Sequence, residues 1–67
     1  MTREITKREK EVLELIAAGK TNEEISGYLD ITLHTVKAHI SSILSKLRVK
    51  NRVLAVVIGI KENIIKI

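Results

Sequence analysis

TNEEISGYLDITLHTVKAHISSILSKL, residues 21–47, contains two helix-opening signals eleven residues apart. Thr21 followed three residues on by Glu24 is a capping box, in which a hydroxyl and a carboxylate occupy backbone amides that a helix start leaves without partners. The short helix it opens, 22–29, turns Ile25 and Leu29 inward, with Tyr28 alongside. Asp30 and Ile31 leave room only for a tight connection before Thr32, which can cap a longer helix over 33–47. Two helices joined by so short a turn form a helix-turn-helix unit.

Within 33–47, Leu33, Val36, Ile40, Ile43, Leu44 and Leu47 fall on one stripe of a helix and predict its buried side. The opposite side presents His34, Thr35, Ala38, Ser41, Ser42 and Ser45, with Lys37 and Lys46 on the flanks, at about 100° per residue. Long charged side chains ordinarily fill an exposed helical face, because they favour both helix and solubility. Here small residues stand in their place. Such a face lets the helix backbone come close to another surface, while hydroxyls reach base edges or phosphates and lysines reach phosphate oxygens or guanine. That combination suits a helix lying in the major groove of DNA.

Outward from this unit, Thr6 and Glu9 repeat the capping box and open a first helix over 7–18, with Val12, Leu13, Ile16 and Ala17 at helical spacing and Leu15 widening the stripe. Gly19 stands where a left-handed helix stop is expected. On the other side a fourth helix is expected over 52–61, apolar on nearly every face: Val53, Leu54, Val56, Val57, Ile58 and Ile60, with Ala55 and Gly59 between them. The chain is therefore expected to be all-α, a single four-helix helix-turn-helix domain over 1–67 without a wing.

The totals narrow the function. Sixty-seven residues without cysteine exclude a disulfide framework and a thiolate metal site. No apolar run approaches the twenty or so residues that span a bilayer, and the charged N-terminus is unlike a secretory signal, so the expected location is the cytoplasm, with no membrane contact. The net charge is +4, and no carboxylate occurs between Ile31 and Lys61, a stretch holding Lys37, Lys46, Arg48, Lys50, Arg52 and Lys61. Such a local positive field suits a phosphate backbone. His34 and His39, five residues apart, point about 140° from one another around a helix and cannot chelate one ion as an i, i+4 pair would. No nucleophile with a base and an orienting partner is in sight. The expectation is no enzyme, no metal, no cofactor and no small-molecule ligand.

Five pieces stand in order along the chain: Thr6 to Leu13 (TKREKEVL), Gly19 to Ile25 (GKTNEEI), Ile31 to His39 (ITLHTVKAH), Lys46 to Val49 (KLRV), and Asn51-Arg52. In these the chain resembles the DNA-binding domain of the LuxR-type transcription regulators, shared by quorum-sensing receptors and many two-component response regulators. The resemblance runs from Ile5 to Val56. It implies a third helix in the major groove and a fourth that supports a two-fold dimer. Matched by position, Thr35 and Lys37 would contact DNA, Ala38 and Ser41 would face base edges, Thr21 and Asn22 would offer phosphate contacts, and Lys46 and Lys50 would add charge against the backbone. With His34 and Ser42 from the helix geometry, these ten residues are the expected DNA-binding set.

Two departures from the family stand out. Asp30 occupies a turn position where many relatives have glycine, and Asp tolerates a left-handed backbone better than most residues. Ser41 is shorter than the larger polar or basic residue common there, so no operator sequence can be inherited. In the fourth helix the family pattern turns Ala55, Val56, Gly59 and Ile60 inward, which leaves Val53, Leu54, Val57, Ile58 and Lys61 as the expected dimer interface. The alternative cover for that face is a further domain of the same polypeptide or the tail at Ile64, Ile65 and Ile67.

The implied partners are double-stranded DNA carrying a palindromic operator, a second copy of the chain, and RNA polymerase. The domain is expected either to stand alone or to be the C-terminal output domain of a longer regulator. The rival reading is a protein-interaction or dimerisation module that keeps the helix-turn-helix without binding an operator.

Overall fold

Every helix begins at a side-chain cap and ends at a left-handed residue, and these local stops set the architecture. The computed structural model describes residues 4–66. It contains α1 (Lys7–Ala17), α2 (Asn22–Leu29), α3 (Leu33–Leu47) and α4 (Arg52–Lys61), with no strand among the described residues. Thr6, Thr21, Thr32 and Asn51 each accept a hydrogen bond from the backbone amide three residues on, and the first two complete their capping boxes with Glu9 and Glu24. Positive φ at Gly19, Asp30, Arg48 and Asn63 turns the chain out of each helix. Only the end of α1 differs from expectation, with Ala18 forming the cap after Ala17.

Asp30 does adopt the left-handed conformation, φ 55° and ψ 46°. Ser26 clips the resulting turn from both sides. Its carbonyl accepts from the Ile31 amide at 3.2 Å, and its hydroxyl donates to the Ile31 carbonyl at 2.5 Å. The angle between α2 and α3 is thereby tied to short-range hydrogen bonds as well as to packing.

α3 is the central strut, touching α1, α2 and α4, while α1 also packs on α4. The core comprises Val12 and Leu13 from α1, Ile25 from α2, Val36, Ile40, Ile43 and Leu47 from α3, Ala55 from α4, and Ile65 beyond it. Leu33 and Leu44 are half-buried at the edge of the α3 stripe. Tyr28, expected beside the α2 core residues, is instead 64 % exposed, with the Lys20 ammonium 5.3 Å from its ring centre. α2 has only two turns, and Ile25 and Leu29 already fill its inward side.

The C-terminal segment contributes more than its position suggests. Asn63 is left-handed, and the amides of Asn63 and Ile64 return to the carbonyls of Ile60 and Gly59 at 3.1 and 2.8 Å, closing a Schellman motif. The reversal drives Ile65 into the core at 2 % exposure. A Cβ at position 59 would stand 3.0 Å from Leu13 Cδ2 and 3.2 Å from Ile65 Cγ1, so glycine lets α4, α1 and the tail meet here. Ile67 lies outside the described residues.

In a domain this small one lost core side chain is a large share of the stability. Ile65→Ala is expected to lose about 2–4 kcal/mol, whereas Val53→Ala on the exposed side of α4 should change stability by less than about 0.5 kcal/mol. Urea unfolding followed by circular dichroism measures both; equal losses would place Ile65 outside the cooperative core.

Candidate nucleic-acid interface

Around α3 the side chains divide into three sectors. Val36, Ile40, Ile43 and Leu47 are buried; His34, Lys37, Ala38, Ser41 and Ser45 are exposed along an arc of about 100°; Thr35, His39, Ser42 and Lys46 lie half-buried between them on one side. The exposed arc carries one long cation, Lys37, among small and polar residues. The apolar anchoring on the reverse side fixes how that arc is presented.

The flank is already engaged. Glu9, in the first turn of α1, is 4 % exposed. Its Oε1 accepts from the Thr6 amide at 2.9 Å and from Lys46 Nζ at 2.8 Å, and its Oε2 accepts from the Ser42 hydroxyl at 2.7 Å. Lys46 Nζ also donates to the Glu4 carbonyl at 2.9 Å. Burial by itself would raise the Glu9 carboxyl, but the hydrogen bonds from Lys46, Thr6 and Ser42 and the Lys46 charge outweigh it and lower its pKa from 4.5 to about 2.

Ser42 and Lys46, both in the expected DNA-binding set, are thus turned toward α1 and spend their polar groups inside the fold. Their position about a quarter of a turn (Ser42) to a third of a turn (Lys46) from the centre of the exposed arc explains it. The Thr6–Glu9 spacing revealed only the local part of Glu9's role, because nothing in a capping box names a partner 33 or 37 residues away.

Thr35 is half-buried at the start of α3, its hydroxyl 2.9 Å from that of Thr32. Thr21 is exposed, yet its Oγ1 already accepts from the Glu24 amide at 3.1 Å. Asn22 Oδ1 accepts from Arg52 Nη1 at 2.9 Å, a bond between the N-termini of α2 and α4, so only the amide NH2 of Asn22 remains for an outside acceptor. Lys50 is exposed in the α3–α4 connection. The geometry therefore brings His34, Lys37, Ala38 and Ser41 together on one open face. Ser42, Lys46 and part of Asn22 are held elsewhere. Among the described residues no cluster of three or more His, Cys, Asp or Glu could hold a metal ion, and no helix is long and apolar enough to cross a membrane.

A second open face lies on α4. Val53, Leu54, Val57 and Ile60 are 68, 42, 51 and 38 % exposed and follow one another at helical spacing, with Lys61 beside them. Two expectations for this helix change places: Ile58 is half-buried against the core, and Ile60 points outward. Ala55 and Gly59 define the buried row, and Ile58, three residues after Ala55, stays at its edge. Ile60, seven residues after Val53, returns to the outer row.

The family profile described as bacterial regulatory proteins, luxR family, matches residues 3–58. The response regulator protein VraR of Staphylococcus aureus (strain NCTC 8325 / PS 47) is 48 % identical over 62 residues, which cover 92 % of this chain and 30 % of that protein. VraR of Staphylococcus epidermidis (strain ATCC 35984 / DSM 28319 / BCRC 17069 / CCUG 31568 / BM 3577 / RP62A) matches to the same extent. The crystal structure of the response regulator ChrA, from a heme-sensing two-component system, superposes with a TM-score of 0.91 at 32 % identity, over 97 % of this chain and 32 % of that one. The chain spans about a third of the length of the proteins it matches.

The Glu9 cluster makes stability depend on acid. Because the folded pKa lies below the unfolded value, the contribution is complete above about pH 4.5 and is lost as pH falls through about 2. It amounts to roughly 3 kcal/mol. Glu9→Gln, which keeps the amide cap, should lower stability at pH 7 by about 1–3 kcal/mol and flatten the dependence between pH 4.5 and 2. Chemical unfolding across that range reads the difference, and parallel curves for the two proteins would show that Glu9 is not the titrating group.

Proposed function

Because this chain belongs to the luxR family of bacterial regulatory proteins, a family of DNA-binding transcription regulators, we propose that it binds double-stranded DNA sequence-specifically, with α3 in the major groove. On this reading two copies meet through α4 on a palindromic operator, and the bound dimer contacts or excludes RNA polymerase. The observation that carries it is the exposed side of α3: His34, Lys37, Ala38 and Ser41 on one open arc, inside a stretch with no carboxylate from Ile31 to Lys61.

The major groove is about 12 Å wide and admits a helix whose outer side chains do not hold it away. Ala38 and Ser41 keep the backbone close to the base edges, and Ser41 can donate or accept there. His34 and Lys37 flank them, Lys37 reaching guanine or a phosphate. Thr35, Thr21, the free NH2 of Asn22 and Lys50 supply contacts to the sugar-phosphate backbone. Ser42 and Lys46 act from behind, by holding α3 on α1.

The α4 stripe supports the dimer. Val53, Leu54, Val57 and Ile60 form a continuous apolar row that the fold leaves uncovered, and Ile65 seats on the opposite, Gly59 side. Among the described residues the tail therefore does not cover this row. A two-fold contact through it is self-complementary and places two recognition helices about one DNA turn, roughly 34–36 Å, apart. Since the chain spans about a third of relatives named as response regulators, its place in such a protein is that of the output domain, governed by a receiver domain.

Duplexes selected from a random pool at physiological salt should share a motif with two-fold symmetry. Lys37→Ala should weaken binding to the selected site by about 1–3 kcal/mol. Leu54→Glu should leave the circular dichroism spectrum intact while abolishing the complex of two chains per duplex in light scattering. A pool without a common motif would overturn sequence-specific binding and favour the protein-interaction module. Strictly one chain per palindromic duplex would overturn the dimer.

A further inference from the structure

Four residues stop helices by turning left-handed, and three of them, Gly19, Asp30 and Asn63, are of types that enter this region readily. The fourth is Arg48, at φ 58° and ψ 46°, directly after α3. An arginine has no conformational reason to be there, since its Cβ crowds the neighbouring carbonyl in that conformation. Its amide closes the helix on the carbonyls of Leu44 and Ser45, a bond that glycine would make equally well. Its side chain is exposed and has no hydrogen bond or ion pair among the described residues. A cation near a helix C-terminus gains only a weak, salt-screened stabilisation, and a basic residue can stand there without a left-handed backbone, as Lys46 in the last turn does. The fold thus carries local strain for a guanidinium it does not use.

We infer that Arg48 is a phosphate-contacting residue that fixes the C-terminal end of α3 against the DNA backbone, an inference that rests on the major-groove reading of α3. Arg48 is exposed directly after Leu47, at the C-terminal end of the helix whose exposed arc carries Lys37 and Ser41. α3 has 15 residues and so is roughly 22 Å long, while the groove is about 12 Å wide. A helix with its first turns among the bases must leave its last turn over the flanking strand. The guanidinium, with five donors in a rigid fork, suits a phosphate there. Lys46 is held by Glu9 and the Glu4 carbonyl, which leaves Arg48 as the cation of this turn free to take that contact. Such a contact sets the insertion angle of α3 and carries no sequence information of its own.

The test separates function from structure by the sign of two effects. Arg48→Gly should leave the melting temperature unchanged or raise it by up to about 5 °C, through relief of the left-handed strain. The same change should weaken binding to the selected duplex about five- to tenfold, weaken binding to unrelated duplex by a similar factor, and reduce the slope of log affinity against log salt by about one. Arg48→Lys should keep the slope of the wild type. An unchanged slope in Arg48→Gly, with Lys37→Ala still impaired, would remove Arg48 from the interface and leave the reading of α3 standing. A melting temperature several degrees lower in Arg48→Gly would show that Arg48 serves the fold and overturn the inference. Full affinity in both Lys37→Ala and Arg48→Gly would overturn the α3 reading itself, and this assignment with it.

Discussion

A single buried carboxylate ties α3 to α1 by directional bonds that the apolar core does not supply. A 67-residue domain cannot bury enough apolar surface to tolerate an unpaired charge in its interior, so Glu9 is acceptable there only because each oxygen has a donor. The donors come from two distant parts of the chain, the Thr6 amide at the start of α1 and the Ser42 and Lys46 side chains on α3. Apolar packing anchors the reverse side of α3, and the directional bonds to a fixed carboxylate add a second tie between α1 and α3 whose geometry, more than its net energy, favours one register.

The same cluster explains the distribution of charge over the surface. The segment from Ile31 to Lys61 is rich in bases, but they are not equivalent. Lys46 is neutralised by Glu9, and Arg52 keeps its charge but is tethered to the Asn22 amide, while Lys37, Arg48 and Lys50 are exposed on or just after α3 and Lys61 is exposed at the end of α4. An acid-free stretch in the sequence is therefore a somewhat weaker positive field in the fold than its composition implies, with three of its exposed cations on α3 and the loop behind it. Electrostatic attraction to phosphate would be carried by few groups, each with a correspondingly large share.

The helices were legible from residue types where their ends are decided locally. A Thr cap and its amide three residues on, or a left-handed Asp, involve neighbours in sequence, and these signals place α2 and the start of α3 where the structure has them; the left-handed Arg48 that ends α3 and the Asn51 cap that opens α4 carry no such signal in the sequence reading. The α3 core stripe was legible for the same reason, since its period is intrinsic to the helix. What escaped depends on tertiary contact. Ser42 and Lys46 looked like outward polar groups until α1 brought Glu9 to them. Ile58 and Ile60 could not be told apart in a helix apolar on every side, where periodicity has no contrast; the close approach of Leu13 and Ile65 to Gly59 decides which row is buried. Ile65 itself had no pattern around it, and its burial follows from the reversal at Asn63.

α3 and α4 are joined by few residues, yet they do not move as beads on a string. Asn51 caps α4, Val49 returns its amide to the Leu44 carbonyl at 3.0 Å, and Arg52 reaches back to Asn22 at the start of α2. α2, α3 and α4 are thus cross-braced at one end of the molecule by short hydrogen bonds, with Ala55 and Leu47 packed in the shared core. In a dimer through α4, the separation of the two α3 helices would then be a property of the rigid domain rather than of a flexible linker. Such a dimer would read half-site spacing by geometry, and an operator with an extra base pair at its centre would have to be met by distorting the duplex or the α4 contact.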